Sequence, residues 1–200
     1  MSANTKAVLF DLGGVVIDID FGRVFSKWAA DAGCDMAQIR ARFKMDDLYK
    51  AHETGHISGE EFFAGLRKTL DINLTDPQFI DGWNAIFIGV VPGIAKVLKA
   101  AAKRYPLFAF SNTNEIHKVH MFSHFGDVLE NFETVFISSE MGVRKPDPLA
   151  FTTVIKQIGI SAPEILFFDD TKENVEGARA CSLNVVHVKS LKDVIDARIT

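Results

Sequence analysis

The spacing of hydrophobic positions changes twice along the chain, and each change marks a different kind of structure. Val8-Leu9-Phe10 is a short unbroken apolar run, the pattern of a strand covered on both faces. From Phe21 to Phe87 the spacing becomes helical, and little reads as strand. Ser58 with Glu61 forms a capping box ahead of Phe62, Phe63, Leu66 and Leu70. Thr75 with Gln78 predicts a further helix carrying Phe79, Trp83, Ile86 and Phe87, and Phe25, Trp28 and Ala29 mark an earlier one. From Pro92 onward helices and strands alternate. A helix holding Ile94, Val97, Leu98 and Ala101 precedes a strand at Leu107-Phe108-Ala109-Phe110, and a second strand follows at Thr134-Val135-Phe136-Ile137. Asp147-Pro148 opens the next helix with an N-cap and a proline at its first position. The strand Ile165-Leu166-Phe167-Phe168, a helix over 174–180 and the strand Val185-Val186-His187-Val188 complete the pattern.

Alternating strands and helices predict an α/β fold: a doubly wound, Rossmann-like parallel sheet with helices on both faces. The first strand must join this sheet although the helical stretch separates it from the rest. The expected organisation is a discontinuous core, 1–16 plus 91–200, with a helical-bundle cap inserted at 17–90. In such sheets ligands bind beyond the carboxyl ends of the strands. Asp11, Ser111 and Asp169-Asp170 all lie at such ends, so they can converge in space.

Bulk composition narrows the partners. The 200 residues carry a net charge of −4 and no Lys/Arg block, which gives no support to nucleic-acid binding. No apolar run approaches the roughly 18 residues of a membrane helix. Met1 to Lys6 is polar and lacks the apolar segment of a signal peptide, so the expected location is cytoplasmic. Cys34 and Cys181 have no metal-type spacing and read as reduced, small hydrophobic residues.

Four short segments carry chemistry: Phe10-Asp11-Leu12-Gly13-Gly14, Ser111-Asn112-Thr113-Asn114, Arg144-Lys145-Pro146-Asp147 and Phe167-Phe168-Asp169-Asp170. A carboxylate at Asp11 can attack phosphorus. Ser111 and neighbouring backbone amides can hold phosphate oxygens, and the Lys145 ammonium can neutralise a transferring phosphoryl group. The adjacent acids Asp169 and Asp170 repel unless a cation lies between them, and Asp11, Asp170 and the carbonyl of Gly13 form a partial magnesium shell. Asp18 and Asp20 read as hinge or surface acids. His117, His120 and His124 read as a polar helix face, with His117 nearest the site, and His52 and His56 as a polar loop.

In this order, the four segments resemble the haloacid dehalogenase-like hydrolase superfamily, and in detail its bacterial α-glucose-1-phosphate phosphatase type. The resemblance implies that Asp11 is the nucleophile, that Ser111, Asn112 and Lys145 hold phosphate, and that Asp11, Gly13 and Asp170 bind Mg2+ with help from Asp169. It also implies catalysis on a small-molecule phosphate ester by a monomer or weak homodimer. Gly13 departs from the family pattern, which has a second aspartate two residues after the nucleophile. Without that acid, general acid help worth roughly 10²–10⁴-fold is missing. The expected substrate is therefore one with a good leaving group, such as a sugar 1-phosphate. A metal-independent 2-haloacid dehalogenase and a catalytically weak phosphate-binding protein are the competing expectations.

Overall fold

A computed structural model describes residues 5–200, so the first four positions of the expected core segment lie outside the described residues. In chain order, β1 is Ala7–Phe10, β2 is Ile17–Ile19, α1 is Phe21–Ala32, α2 is Met36–Arg42 and α3 is Asp47–Glu53. Next come α4 (Gly59–Leu70), α5 (Asp76–Asn84), β3 (Phe87–Val90), α6 (Ile94–Ala101) and β4 (Leu107–Ser111). Then follow α7 (Glu115–His124), α8 (Gly126–Leu129), β5 (Thr134–Ile137), α9 (Ser138–Met141) and α10 (Pro148–Ile158). The chain ends with β6 (Ile165–Asp169), α11 (Lys172–Ala180), β7 (Asn184–His187) and α12 (Leu191–Asp196).

Five strands form one parallel sheet in the order β5-β4-β1-β6-β7. β1 sits at its centre, between β4 and β6, which sends its carboxyl end into the crevice where the connections diverge. Successive side chains along a strand point to opposite faces, so the unbroken apolar runs serve two cores. Val8, Phe10, Leu107, Ala109, Leu166 and Phe168 pack on one side with Ile94, Leu98 and Val194. Ala7, Leu9, Phe108, Phe110, Ile165 and Phe167 pack on the other with Phe151, Val154 and Ala178.

The helices α1–α5 bury a third cluster of their own. Trp28 stacks on Trp83 with ring centres 5.5 Å apart, and the Trp28 indole N–H donates to the Phe79 carbonyl at 3.1 Å. Gly82 makes this approach possible, because a Cβ there would overlap the Trp28 ring. Each buried ring of this size contributes on the order of 2–3 kcal/mol by leaving water. Both expected capping boxes are present, Ser58 with Glu61 and Thr75 with Gln78, and Asp147 caps α10.

One expectation is corrected. Phe87, placed on the Thr75 helix by its spacing, lies in β3, because that helix ends at Asn84. β3 pairs antiparallel with β2, so the two connections between sheet and helices run side by side as a ribbon. Strands this short, half-exposed and paired to a distant segment give no period of their own to read.

Candidate active site

Asp11 follows β1 directly, and its N–H continues the ladder by donating to the Phe168 carbonyl at 2.8 Å. Its Oδ1 accepts from the Leu12 N–H at 2.7 Å and lies 3.0 Å from the Lys145 ammonium. Both contacts fall on Oδ1, which leaves Oδ2 for chemistry. The chain then turns through Gly14, whose φ of +77° suits glycine. Space imposes the same choice, since a Cβ at Gly14 would lie 2.8 Å from Asp170 Cγ. Glycine here lets the Asp170 carboxylate approach the backbone beside Asp11.

Lys145 is fully buried. Its ammonium donates to the Phe110 carbonyl at 2.7 Å and to Asp169 Oδ2 at 2.8 Å, besides its contact with Asp11. Asp169 is buried as completely, and both of its oxygens are committed. Oδ1 accepts from the Thr171 N–H and from the Asn174 amide, while Oδ2 takes Lys145 and the same amide. The geometry gives Asp169 a positioning task, and one of its oxygens also belongs to the cluster that can hold a metal. Asp11, Asp169 and Asp170 each present an oxygen within 4.8 Å of the others.

The charges are unbalanced. Three carboxylates cluster beside one buried ammonium; Asp11 and Asp169 pair with it and are buried, while Asp170 is exposed. Burial pushes the Asp11 carboxyl up to about 8, against the pull of Lys145 and with added repulsion from Asp169 and Asp170. Burial and the neighbouring Asp169 also raise Asp170. Burial opposes the Lys145 charge, but Asp11 and Asp169 outweigh it and hold the ammonium above its ordinary range.

Ser111 ends β4 and lines the same cavity as Asp11, Gly13 and Asp170, a space of about 640 Å³. Asn112 lines the cavity too, and its side chain has a structural task. Its amide N–H donates to the Lys145 carbonyl and its oxygen accepts from the Lys145 N–H, both at 2.9 Å. This two-bond clamp fixes the backbone from which Lys145 reaches into the site. Of the two acids leaving the first segment, Asp18 lies in β2 and Asp20 caps α1 through the Gly22 N–H, and neither lines the cavity.

The histidines separate. His120 and His124 stack on each other at the surface. His117 is buried, stacked on Trp83, with Nε2 3.0 Å from the Trp83 carbonyl. Burial pushes it down to about 3, so it is neutral and its N–H pins the end of α5 to α7. His52, expected in a loop, is buried in α3 and stacked on Phe62. Among the described residues, only the aspartate cluster brings three or more potential metal ligands together.

Similarity to known proteins follows this geometry. A family model described as haloacid dehalogenase-like hydrolase matches residues 5–182. The chain belongs to that family. Among relatives of this family is D-ribitol-5-phosphate phosphatase of Bacteroides thetaiotaomicron, 26% identical over 85% of each chain. The crystal structure of the family enzyme BT-2542 from the same organism, in complex with magnesium and inorganic phosphate, superposes with a TM-score of 0.81. It is 27% identical, and the match covers 93% of this chain and 95% of that one. A predicted hydrolase of the family from Porphyromonas gingivalis superposes with a TM-score of 0.84 at 26% identity, over 98% and 97% of the two chains.

Several residues of this hydrolase site were not singled out by their sequence pattern. Asn174 holds Asp169, and the only signal was its position five residues on, inside an amphipathic helix. Glu53 and Tyr49 reach the cavity from α3, and Arg144, paired with Glu53, lines it as well. Glu53 is a lone acid in a helical stretch, and nothing in the local pattern separates it from a surface charge.

Proposed function

We propose that this hydrolase is a magnesium-dependent phosphatase of small phosphate esters that works through an aspartyl-phosphate on Asp11. The observation that carries the reading is the charge imbalance: three carboxylates lie within 4.8 Å of one another, and one buried ammonium pairs with two of them. A divalent cation beside Asp11 and Asp170 removes the deficit, and oxygen donors of this kind suit magnesium. Asp11, Asp170 and the Gly13 carbonyl would hold it. When bound, it would neutralise charge on the phosphoryl oxygens.

The residues divide the remaining work. Asp11 attacks phosphorus, the bond from phosphorus to the leaving oxygen breaks, and that oxygen takes a proton from water, because Gly13 offers none. A second water then attacks phosphorus, gives its proton to the hydroxide left by the first step, and displaces the Asp11 carboxylate as inorganic phosphate forms. Lys145 spreads the phosphoryl charge and keeps Asp11 Oδ1 fixed, so that Oδ2 faces the substrate. Asp169, anchored by Asn174 and the Thr171 N–H, keeps Lys145 charged and in place. Ser111 and the backbone amides after β4 cradle phosphate oxygens. Residues 17–90 act as a cap that limits water and selects the alcohol.

Gly13 supports a finer reading: a sugar 1-phosphate, whose anomeric oxygen leaves without a strong acid. The relative named for D-ribitol 5-phosphate supplies the competing substrate class, a primary alcohol ester. The test is phosphate release from a panel holding glucose 1-phosphate, ribitol 5-phosphate and glycerol phosphate, with and without magnesium. Magnesium-dependent release lost in Asp11→Asn supports the phosphatase. Equal rates on glycerol phosphate and glucose 1-phosphate would remove the leaving-group argument.

A further inference from the structure

The cavity above Asp11 has two unlike halves. Around the carboxyl edge of the sheet it is lined by the charged and polar groups already described. The half built by the inserted segment is apolar, with Ile17, Ile19, Phe21, Met45, Ile86 and Phe87 along it. The two polar side chains that this segment adds are committed within the protein. Glu53 pairs with Arg144 at 2.7 Å, and the Tyr49 hydroxyl donates to the Glu53 carboxylate. The apolar wall is held in place from behind. Ile19 and Phe87 are partners across the β2–β3 ribbon, so their side chains stand together. Phe87 is braced by His117, edge-on at 5.1 Å, and by His120, stacked at 5.3 Å. Phe21 opens α1 and is braced by Trp83 at 6.1 Å. Ile19 and Met45, both large and apolar, are nevertheless 38% and 53% exposed. Apolar groups left open around one concave space mark a ligand site. The wall also reaches the reacting centre, since a Cβ at Gly13 would lie 3.1 Å from Ile19 Cδ1.

We propose a further activity for this site: hydrolysis of aryl phosphates, with the aromatic ring of the leaving alcohol packed against Ile19, Phe21, Met45 and Phe87. The inference rests on the phosphatase reading and adds a second substrate class to the sugar ester. Two separate features select an aromatic alcohol. Its ring buries apolar surface on the wall and brings no hydroxyl that the wall would leave unpaired. Contact with the Phe21 and Phe87 rings adds to this gain. Its oxygen also leaves without an acid at residue 13, because a phenol ionises near the tyrosine value of about 10. Asp11 attacks phosphorus, and the bond to the phenolic oxygen breaks with its electron pair going to that oxygen. The phenolate departs and takes a proton from water. A second water hydrolyses the aspartyl-phosphate as before, so ester and water give phenol and inorganic phosphate.

The test compares phenyl, 2-naphthyl and 2-naphthylmethyl phosphate, with magnesium, on wild type, Met45→Gln and Ile19→Thr. Phenol and 2-naphthol are of similar acidity, so a difference between their esters reports the wall. The second fused ring should lower KM by about tenfold or more in wild type. Each substitution, at an exposed position, should shrink that preference by about threefold or more. The 2-naphthylmethyl ester carries the same rings on an alkyl oxygen, so it should keep the low KM while kcat falls by roughly 10²-fold or more. Equal KM for phenyl and 2-naphthyl esters, or a preference untouched by both substitutions, overturns the inference while the phosphatase reading stands. A 2-naphthylmethyl ester cleaved as fast as the 2-naphthyl ester does the same, as does release from glucose 1-phosphate with none from either aryl ester. If no ester is cleaved above the Asp11→Asn background, both readings fall together.

Discussion

Lys145→Met removes one charge and little else. Methionine is unbranched and of similar length, so it retains the apolar contact with Phe110 and Phe167, whose ring centres lie 5.1 and 5.3 Å from the ammonium. The variant loses charge-assisted contacts to Asp169 at 2.8 Å and Asp11 at 3.0 Å, and a bond to the Phe110 carbonyl. Hydrogen bonds to charged groups are worth about 1.5–3 kcal/mol each. Removing one partner of a buried pair costs about 3–5 kcal/mol, because the other charge remains buried. The three contacts share one ammonium and are not additive, so the buried-pair cost sets the scale, and Asp169, fully buried, fixes its lower bound. The penalty also depends on pH. Without the ammonium, the native carboxyls bind protons more tightly than their unfolded counterparts, so stability falls as pH rises. The expected loss is about 3–5 kcal/mol near pH 8 and shrinks toward pH 5 as the carboxyls protonate. Urea unfolding of metal-free wild type and variant at both pH values measures it. A loss below about 1 kcal/mol, or an equal loss at both pH values, would refute the reasoning.

Three further outcomes follow from the same site. Gly13→Asp should raise turnover of alkyl phosphates by up to about 10²-fold and leave an aryl phosphate nearly unchanged; a new Cβ meets only the flexible end of Ile19, at 3.1 Å. Steady-state rates on both ester types check this, and unchanged alkyl rates would mean that another acid already serves. Gly14→Ala places a Cβ against the Asp170 carboxylate at a positive φ, and should raise the magnesium needed for half-maximal activity by about tenfold or more. In metal-free wild type, Asp11 is raised from 3.8 to about 8, so the native state holds the extra proton and stability should fall as pH climbs between those values. Calorimetry across that range should find the slope reduced by Asp11→Asn and by added magnesium.

The sequence carried the sheet and the reacting groups because both leave periodic or punctuated marks. Unbroken runs such as Ile165-Leu166-Phe167-Phe168, short and set between helical patterns, read as strands covered on both faces, and the acids that follow them stand at the carboxyl edge. Capping chemistry at Ser58, Thr75 and Asp147 is local, so it was legible too. What escaped depends on long-range partners. Ile17–Ile19 and Phe87–Val90 form strands only because they meet each other. Nothing local showed that the side chains of Asn112 and Asp169 also hold Lys145, one clamping its backbone and one its ammonium. His117 looked solvated because its neighbours His120 and His124 are, while the face it presents is set by Trp83 from another helix. Glu53 and Arg144, 91 positions apart, meet only through the packing of α3 against the sheet's edge.

The most direct measurement is to trap the covalent state. Wild-type protein mixed with magnesium and glucose 1-phosphate, quenched in acid within the first turnover and digested, should carry one phosphoryl group on the peptide containing Asp11. Asp11→Asn should carry none. Phosphate release at full rate with an unmodified Asp11 peptide at every quench time, or undiminished turnover by Asp11→Asn, would contradict nucleophilic catalysis at this aspartate.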